Sequence, residues 1–406
     1  MTALTRRRFF ARAQAALAST LAPAFLSRAA HADTPSPAAE GEDYYAKLGV
    51  PTIINAAGTY TYLTAAIMPP PVRAAVARAA LHPVRLKDLQ LASGASAALT
   101  LATAACVAKA NNFQAEDIPA HVFAAANPSA KNEVIVQKAH RYEYDHAMQL
   151  CGVTIREVVT PDDFKRTVSD KTVMSNFFNS AESGSIGREE WIRLCHDHNV
   201  PCHNDAAADM PPIENLWKLT GMGFDLVCFS GGKGIRGPQN AGLLLGRKDL
   251  IDLAAANDSP NDQGVGRGMK VAKEQIVGMV AAVDWLLAQT DSGMLAGWNQ
   301  QVSTIRAALH DIPSVETTVF TPEVANHVPH LLVRYDPARL GLTPIQVAKL
   351  LRAGTPSIEV NPATGTGNRG FHADKNTIIL ATWMLQPGED TIVANRLRAA
   401  LLSAGS

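Results

Sequence analysis

The residues able to do chemistry in this chain sit at the ends of apolar runs. "FSGGKGIRGPQ" (229–239) empties a strand-like run into a glycine-rich loop that holds a single lysine, Lys233. "VPCHND" (200–205) ends on Asp205 and is followed by three alanines, while "NEVIVQKAH" (132–140) ends on His140. "LASGASAAL" (91–99) is a small-residue turn that opens a helix, and there the unpaired backbone N–H groups and the helix dipole together attract anions. Taken singly, each residue has a plain role: a solvated lysine, a helix-capping aspartate, a hydrogen-bonded histidine. In a parallel sheet, however, the strand C-termini face one crevice, so His140, Asp205 and Lys233 converge there.

A phosphate cradle, an aromatic ring, a carboxylate and a lone amine together suit pyridoxal 5′-phosphate. Lys233 forms the Schiff base, and Asp205 keeps the ring nitrogen protonated so that the ring accepts electrons from Cα. The His140 imidazole stacks on the ring, and the small Ala207 leaves room at its other face. Two rival motifs fail. His196 and His198 in "HDHNVPCHND" lie two apart at a helix end and do not share a face, so no metal site is expected from them. "SGGKGIRG" lacks the spacing of a Walker A loop.

These residues need a scaffold of alternating strands and helices. From about 95 to 290, short apolar runs alternate with longer helical stretches, the pattern of an α/β sheet with crossover helices. Strands are expected at 132–139, 153–160, 172–179, 200–208, 224–232 and 241–247. Helices are expected over 98–110, 161–168 and 187–199, the last with Trp191, Leu194 and Cys195 on one face. A long helix at 270–289 leads to a smaller α+β lobe with strands at 330–336 and 376–382 and helices at 343–354 and 389–404.

The 406 residues include 37 Lys+Arg and 37 Asp+Glu, a balance that argues against a nucleic-acid groove. Hydrophobic residues make up 47% and charged residues 18%, enough for a large core. "TRRRFF" (5–10), an apolar small-residue run and "AHA" (30–32) read in order as an export signal with a cleavage site, and the arginine pair resembles a twin-arginine signal. The apolar run is short and holds Pro23, which disfavours a spanning helix. The expected division is a signal at 1–32, a leader and N-terminal segment at 33–75, a large α/β domain at 76–295 and a small α+β domain at 296–406. Five cysteines show no zinc-ligand spacing, and buried free thiols are the expected state.

"YYAKLGVPTIINAAGTYTYLTAAIMPP", "KNEVIVQKAHRYEYDHA", "FSGGKGIRGPQNAGLLLGRKDLI", "GRGMKVAKEQIVGMVAAVDWLL" and "ATWMLQPGED" together resemble fold-type-I pyridoxal-phosphate enzymes related to bacterial selenocysteine synthase. Within that group the likeness is to the D-glucosaminate-6-phosphate ammonia-lyase-like branch, over residues 43–403. The resemblance implies an aminotransferase-like fold with a mostly parallel sheet. It implies Lys233 as the Schiff-base lysine, Asp205 as the pyridinium partner, and His140 as the stacking ring. Gly94, Ala95 and Ser96, with Ser230, would hold the phosphate, and Arg267 would reach a phosphate or substrate anion. Thr59 and Tyr60, in a segment that runs near the site in this family, would face the substrate. The helical stretch of the family is shortened here to "LHPVRLKDLQ" (81–90). A lyase acting at Cα of an amino acid or amino-sugar acid is the expected activity. A racemase or aminotransferase uses the same carbanion chemistry, and an exported binding protein without catalysis stays open. A homodimer or larger homo-oligomer, a small-molecule partner and a periplasmic or secreted location complete the expectation.

Overall fold

The computed structural model describes residues 43–64, 66–84, 94–113, 129–179, 186–365 and 373–403. The expected signal at 1–32 and most of the shortened segment lie outside them. The chain divides into two units at Pro51/Thr52. In the first, the Asp43 side chain accepts from the Tyr45 and Ala46 N–H groups and starts the helix Tyr44–Leu48, which Gly49 ends at φ 66°.

In the second unit, β1 (Ile53–Asn55) precedes a six-stranded sheet. That sheet comprises β2 (Glu133–Gln137), β3 (Thr154–Val158), β4 (Thr172–Phe178), β5 (Cys202–Asp205), β6 (Leu226–Ser230) and β7 (Gly242–Gly246). Its order is β3-β2-β4-β5-β6-β7, and every pairing is parallel except the edge pair β6–β7. The expected strands are all present. The antiparallel turn of β7 follows from the short loop after β6, since a parallel return needs a longer crossover.

Strands covered on both faces are continuously apolar, and β2 and β4 are so covered. Val134, Val136 and Met174 share a core with Leu99 and Val107 of the helix Gly94–Ala110. Ile135, Phe177, Val227 and Phe229 share another with Trp191 and Leu194 of the helix Arg188–Asp197. The helix Gly94–Ala110 is buried from Ala97 to Ala108, and its alanines let it lie close to the sheet. After β2 the chain goes outward to β3 and then returns to the other side of β2 as β4. The carboxyl ends of β2 and β4 therefore flank a switch point, where open α/β sheets bind ligands.

The remaining strands are β8 (Val315–Phe320), β9 (His330–Tyr335), β10 (Ser357–Glu359), β11 (Asn361–Pro362) and β12 (Thr377–Ala381). An antiparallel sheet runs β11-β12-β9-β8, and β1 pairs in parallel with β10. Leu331, Val333 and Ile378 pack with Val302, Ile305 and Leu397 from the helices Asp291–Leu309 and Glu389–Leu402. The helix Asp291–Leu309 and β8 were not expected from sequence. Gly293 and Gly297 break the helical pattern of the first, and the second is a half-exposed edge strand rich in threonine. All five cysteines are buried and free, as expected.

Candidate active site

Asp205 closes β5, and His140 and Lys233 follow the carboxyl ends of β2 and β6, so all three stand at the same edge of the sheet. Asp205 is only 5% exposed, so its carboxylate must be paired. Its Oδ1 accepts from the Ala207 N–H at 3.0 Å and from the Cys228 thiol at 3.7 Å. Its Oδ2 accepts from the Tyr142 hydroxyl. Burial and then the Asp205 charge hold the Cys228 thiol well above its ordinary pKa, and the Lys233 charge acts on it in the opposite sense. Lys233 thus stands within electrostatic reach of the Asp205–Cys228 pair.

The Lys233 loop is positioned by close backbone contact. A Cβ on Gly234 would lie 2.0 Å from the Met210 carbonyl oxygen, so only glycine fits there. Ala66 N–H donates to the Gly232 carbonyl at 2.9 Å, and Arg236 and Gln239 donate to the carbonyls of Ile67 and Thr61. These bonds lay the segment after Tyr60 against the Lys233 loop. Tyr60 accepts from Asn361 at 3.0 Å, and Thr59 is half-buried beside it.

His140 is buried at the end of β2 with its ring edge-on to Phe177, centroids 4.4 Å apart. Its Nδ1 lies 3.3 Å from the Phe178 N–H, which donates to it. Burial pushes the imidazole down to about 4, so it is neutral near pH 7 and carries its proton on Nε2.

Gly94, Ala95 and Ser96 open the helix Gly94–Ala110, with Gly94 at φ 79°. A Cβ on Gly242 would lie 2.5 Å from the Gly94 carbonyl carbon. Gly242 in turn pairs with Ser230 across β6–β7, so the sheet brings Ser230 to the helix start. Arg267 pairs with Asp262 at 3.5 Å within this chain. The Ala207 N–H also fixes the Asp205 carboxylate.

Tyr142 is the member that sequence reasoning missed. Its ring stacks on Phe178 at 3.8 Å and 21°, and burial followed by the Asp205 charge raises its hydroxyl far above the ordinary value. The hydroxyl therefore stays protonated and donates to Asp205. The only sequence signal was an aromatic residue two positions past the strand-end histidine.

Residues 129–332, half of the chain, match the family Aminotransferase class-V. The chain belongs to the class-V aminotransferase family. Class-V aminotransferases of this fold are pyridoxal-phosphate enzymes, and this chain is one of them. A Salmonella typhimurium D-glucosaminate-6-phosphate ammonia lyase is 25% identical over 383 residues, 87% of this chain and 96% of that protein. A Streptomyces 5′-C-glycyluridine monooxygenase-decarboxylase is 26% identical over 328 residues, 77% of this chain and 76% of that protein. L-seryl-tRNA(Sec) selenium transferases match over about half of the chain or less. A solved D-glucosaminate-6-phosphate ammonia-lyase superposes with a TM-score of 0.74 over 90% of this class-V chain and 99% of that one, at 24% identity. That superposition establishes the aminotransferase-like fold.

The residues present fit pyridoxal phosphate. The Asp205 carboxylate turns one oxygen toward a hydrogen-bond donor at the crevice, a neutral imidazole lies buried at the switch point, and the start of the helix Gly94–Ala110 meets the strand pair that carries Ser230.

Proposed function

We propose that this chain is a pyridoxal-phosphate lyase that acts at Cα of an amino acid or amino-sugar acid and releases ammonia. The convergence of the strand ends that carry Lys233, Asp205 and His140 supports this reading most strongly. The likeness to the Salmonella ammonia lyase along nearly the whole of that protein supports the elimination.

When bound, pyridoxal phosphate supplies an electron sink for charge that develops at Cα of an amine. Lys233 would hold the cofactor covalently through Nζ, and its amine would carry the Cα proton. Asp205 holds the proton on the ring nitrogen, while Ala207 N–H and the Tyr142 hydroxyl hold the carboxylate in place. His140, neutral, would stack on the ring. The backbone N–H groups of Gly94, Ala95 and Ser96 and the Ser230 hydroxyl bind the phosphate. Thr59 and Tyr60 lie on the substrate side. The reach of Arg267 to a phosphate or substrate anion rests on resemblance. The signal-like pattern at 5–32 supports export of the folded chain to the periplasm or beyond, and the same resemblance supports a homo-oligomer.

The test is product formation. Purified chain loaded with cofactor is offered D- and L-amino acids and amino-sugar acids, and ammonia and keto acid are measured. The expected result is stoichiometric release of both from one substrate class. Exchange of the Cα hydrogen with solvent and no ammonia would instead identify a racemase. A keto acid formed only with an amino acceptor would identify an aminotransferase.

A further inference from the structure

"HDHNVPCHND" supplies two members of a second cluster that the site described above does not use. His196 lies in the last turn of the helix Arg188–Asp197, Cys202 opens β5, and Asp225 stands just before β6. Asp205 closes β5, so this cluster lies at the other end of that strand, about 10 Å from the crevice at 3.3 Å per residue. The two histidines do part company, as their spacing predicts: His198 Nδ1 turns to the Leu194 carbonyl at 2.8 Å. The partner of His196 is Cys202, whose Sγ lies 4.0 Å from His196 Nε2. With a carboxylate oxygen of Asp225, the three donor atoms all lie within 4.8 Å of one another.

One nitrogen, one sulfur and one carboxylate oxygen make the donor set of a borderline-soft cation such as Zn²⁺. Tetrahedral coordination at ordinary zinc bond lengths would put the nitrogen and sulfur about 3.5 Å apart. The exposed His196 side chain can close the difference by a small rotation, and it also opens the cluster to solvent. The other two ligands are already held. Cys202 N–H donates to Asp225 Oδ2 at 2.9 Å, and Arg247 holds Asp225 Oδ1 at 3.0 Å. Such outer bonds orient metal ligands. Asp249 takes a second Arg247 nitrogen at 2.9 Å and offsets part of its charge.

We infer that His196, Cys202 and Asp225 form a binding site for a zinc-like divalent cation, with solvent in the fourth position. The cation joins the end of one helix to the starts of β5 and β6. Binding replaces the Cys202 thiol proton, which leaves to solvent, with a sulfur–metal bond, and no electron changes hands.

The untagged full chain, stripped with chelator and exchanged into Zn²⁺, is expected to retain one equivalent per chain and to melt at a higher temperature than the stripped form. Co²⁺ in place of zinc should give the near-ultraviolet absorption of a cobalt–thiolate bond. Cys202→Ser should abolish that band, whereas Cys195→Ser and His198→Ala should leave it. His196→Ala, at an exposed position outside the core, should weaken zinc binding by about tenfold or more and keeps the test valid even where the Cys202 variant does not fold. Zinc retention in His196→Ala equal to that of the unaltered chain, or no cobalt–thiolate band, would overturn the assignment. Neither readout depends on the cofactor.

Discussion

Asp205 is held on both oxygens, by Ala207 N–H and the Cys228 thiol on one and by the Tyr142 hydroxyl on the other. A buried carboxylate held by this many donors keeps its direction, which a partner for the ring nitrogen requires. Covalent attachment, in contrast, depends on Lys233. Asp205→Ala should therefore leave the protein coloured on addition of pyridoxal phosphate while turnover falls by about 10²-fold or more. Absorbance and steady-state rates on one preparation separate the two effects. Equal loss of colour and rate would mean that Asp205 serves cofactor binding alone. His140, by comparison, is neutral across the usual assay range, so a rate inflection near pH 6.5 would have to come from another group.

The elements set where these residues meet. The start of the helix Gly94–Ala110 is pressed against β7 at Gly242, where a Cβ would stand 2.5 Å from the Gly94 carbonyl carbon. Gly242→Ala must push the helix start away from Ser230. The expected outcome is a cofactor dissociation constant raised about tenfold or more with Lys233 untouched, read by fluorescence titration. Unchanged affinity would remove this helix start from the phosphate site. Strand-end residues such as Lys233, Asp205 and His140 were legible in the sequence because an apolar run closed by a polar residue marks the carboxyl edge of a sheet. Tyr142 was not, since its meeting with Asp205 depends on the order β2-β4-β5 and on a ring stacked on Phe178. The grouping of His196, Cys202 and Asp225 was hidden for the same reason, because three separate elements supply it.

Across the whole molecule, burial leaves a pattern of titration. His140, His203 and His330 are each pushed down to about 4 by burial, whereas burial raises Asp209 and Asp258 to about 6. Below pH 6.5 the unfolded chain binds protons at the three histidines that the folded chain refuses. Each such site costs up to about 1.4 kcal/mol per pH unit as the pH falls toward 4. The two aspartates act in the opposite sense, since the folded chain keeps their protons between about pH 6 and 4. Three sites outweigh two, and the histidines begin first. The midpoint of thermal unfolding should thus fall between pH 7 and pH 5, with the loss starting near pH 6.5. A flat or rising midpoint over that interval would contradict the burial of these rings.

The central claim is that Lys233 carries pyridoxal phosphate. Its direct measurement is borohydride reduction of the cofactor-loaded chain, followed by peptide mass mapping. A pyridoxyl-phosphate mass on the peptide that contains Lys233, absent in Lys233→Ala, is the predicted result. A colourless protein with no such adduct, or an adduct on a different lysine, would contradict it.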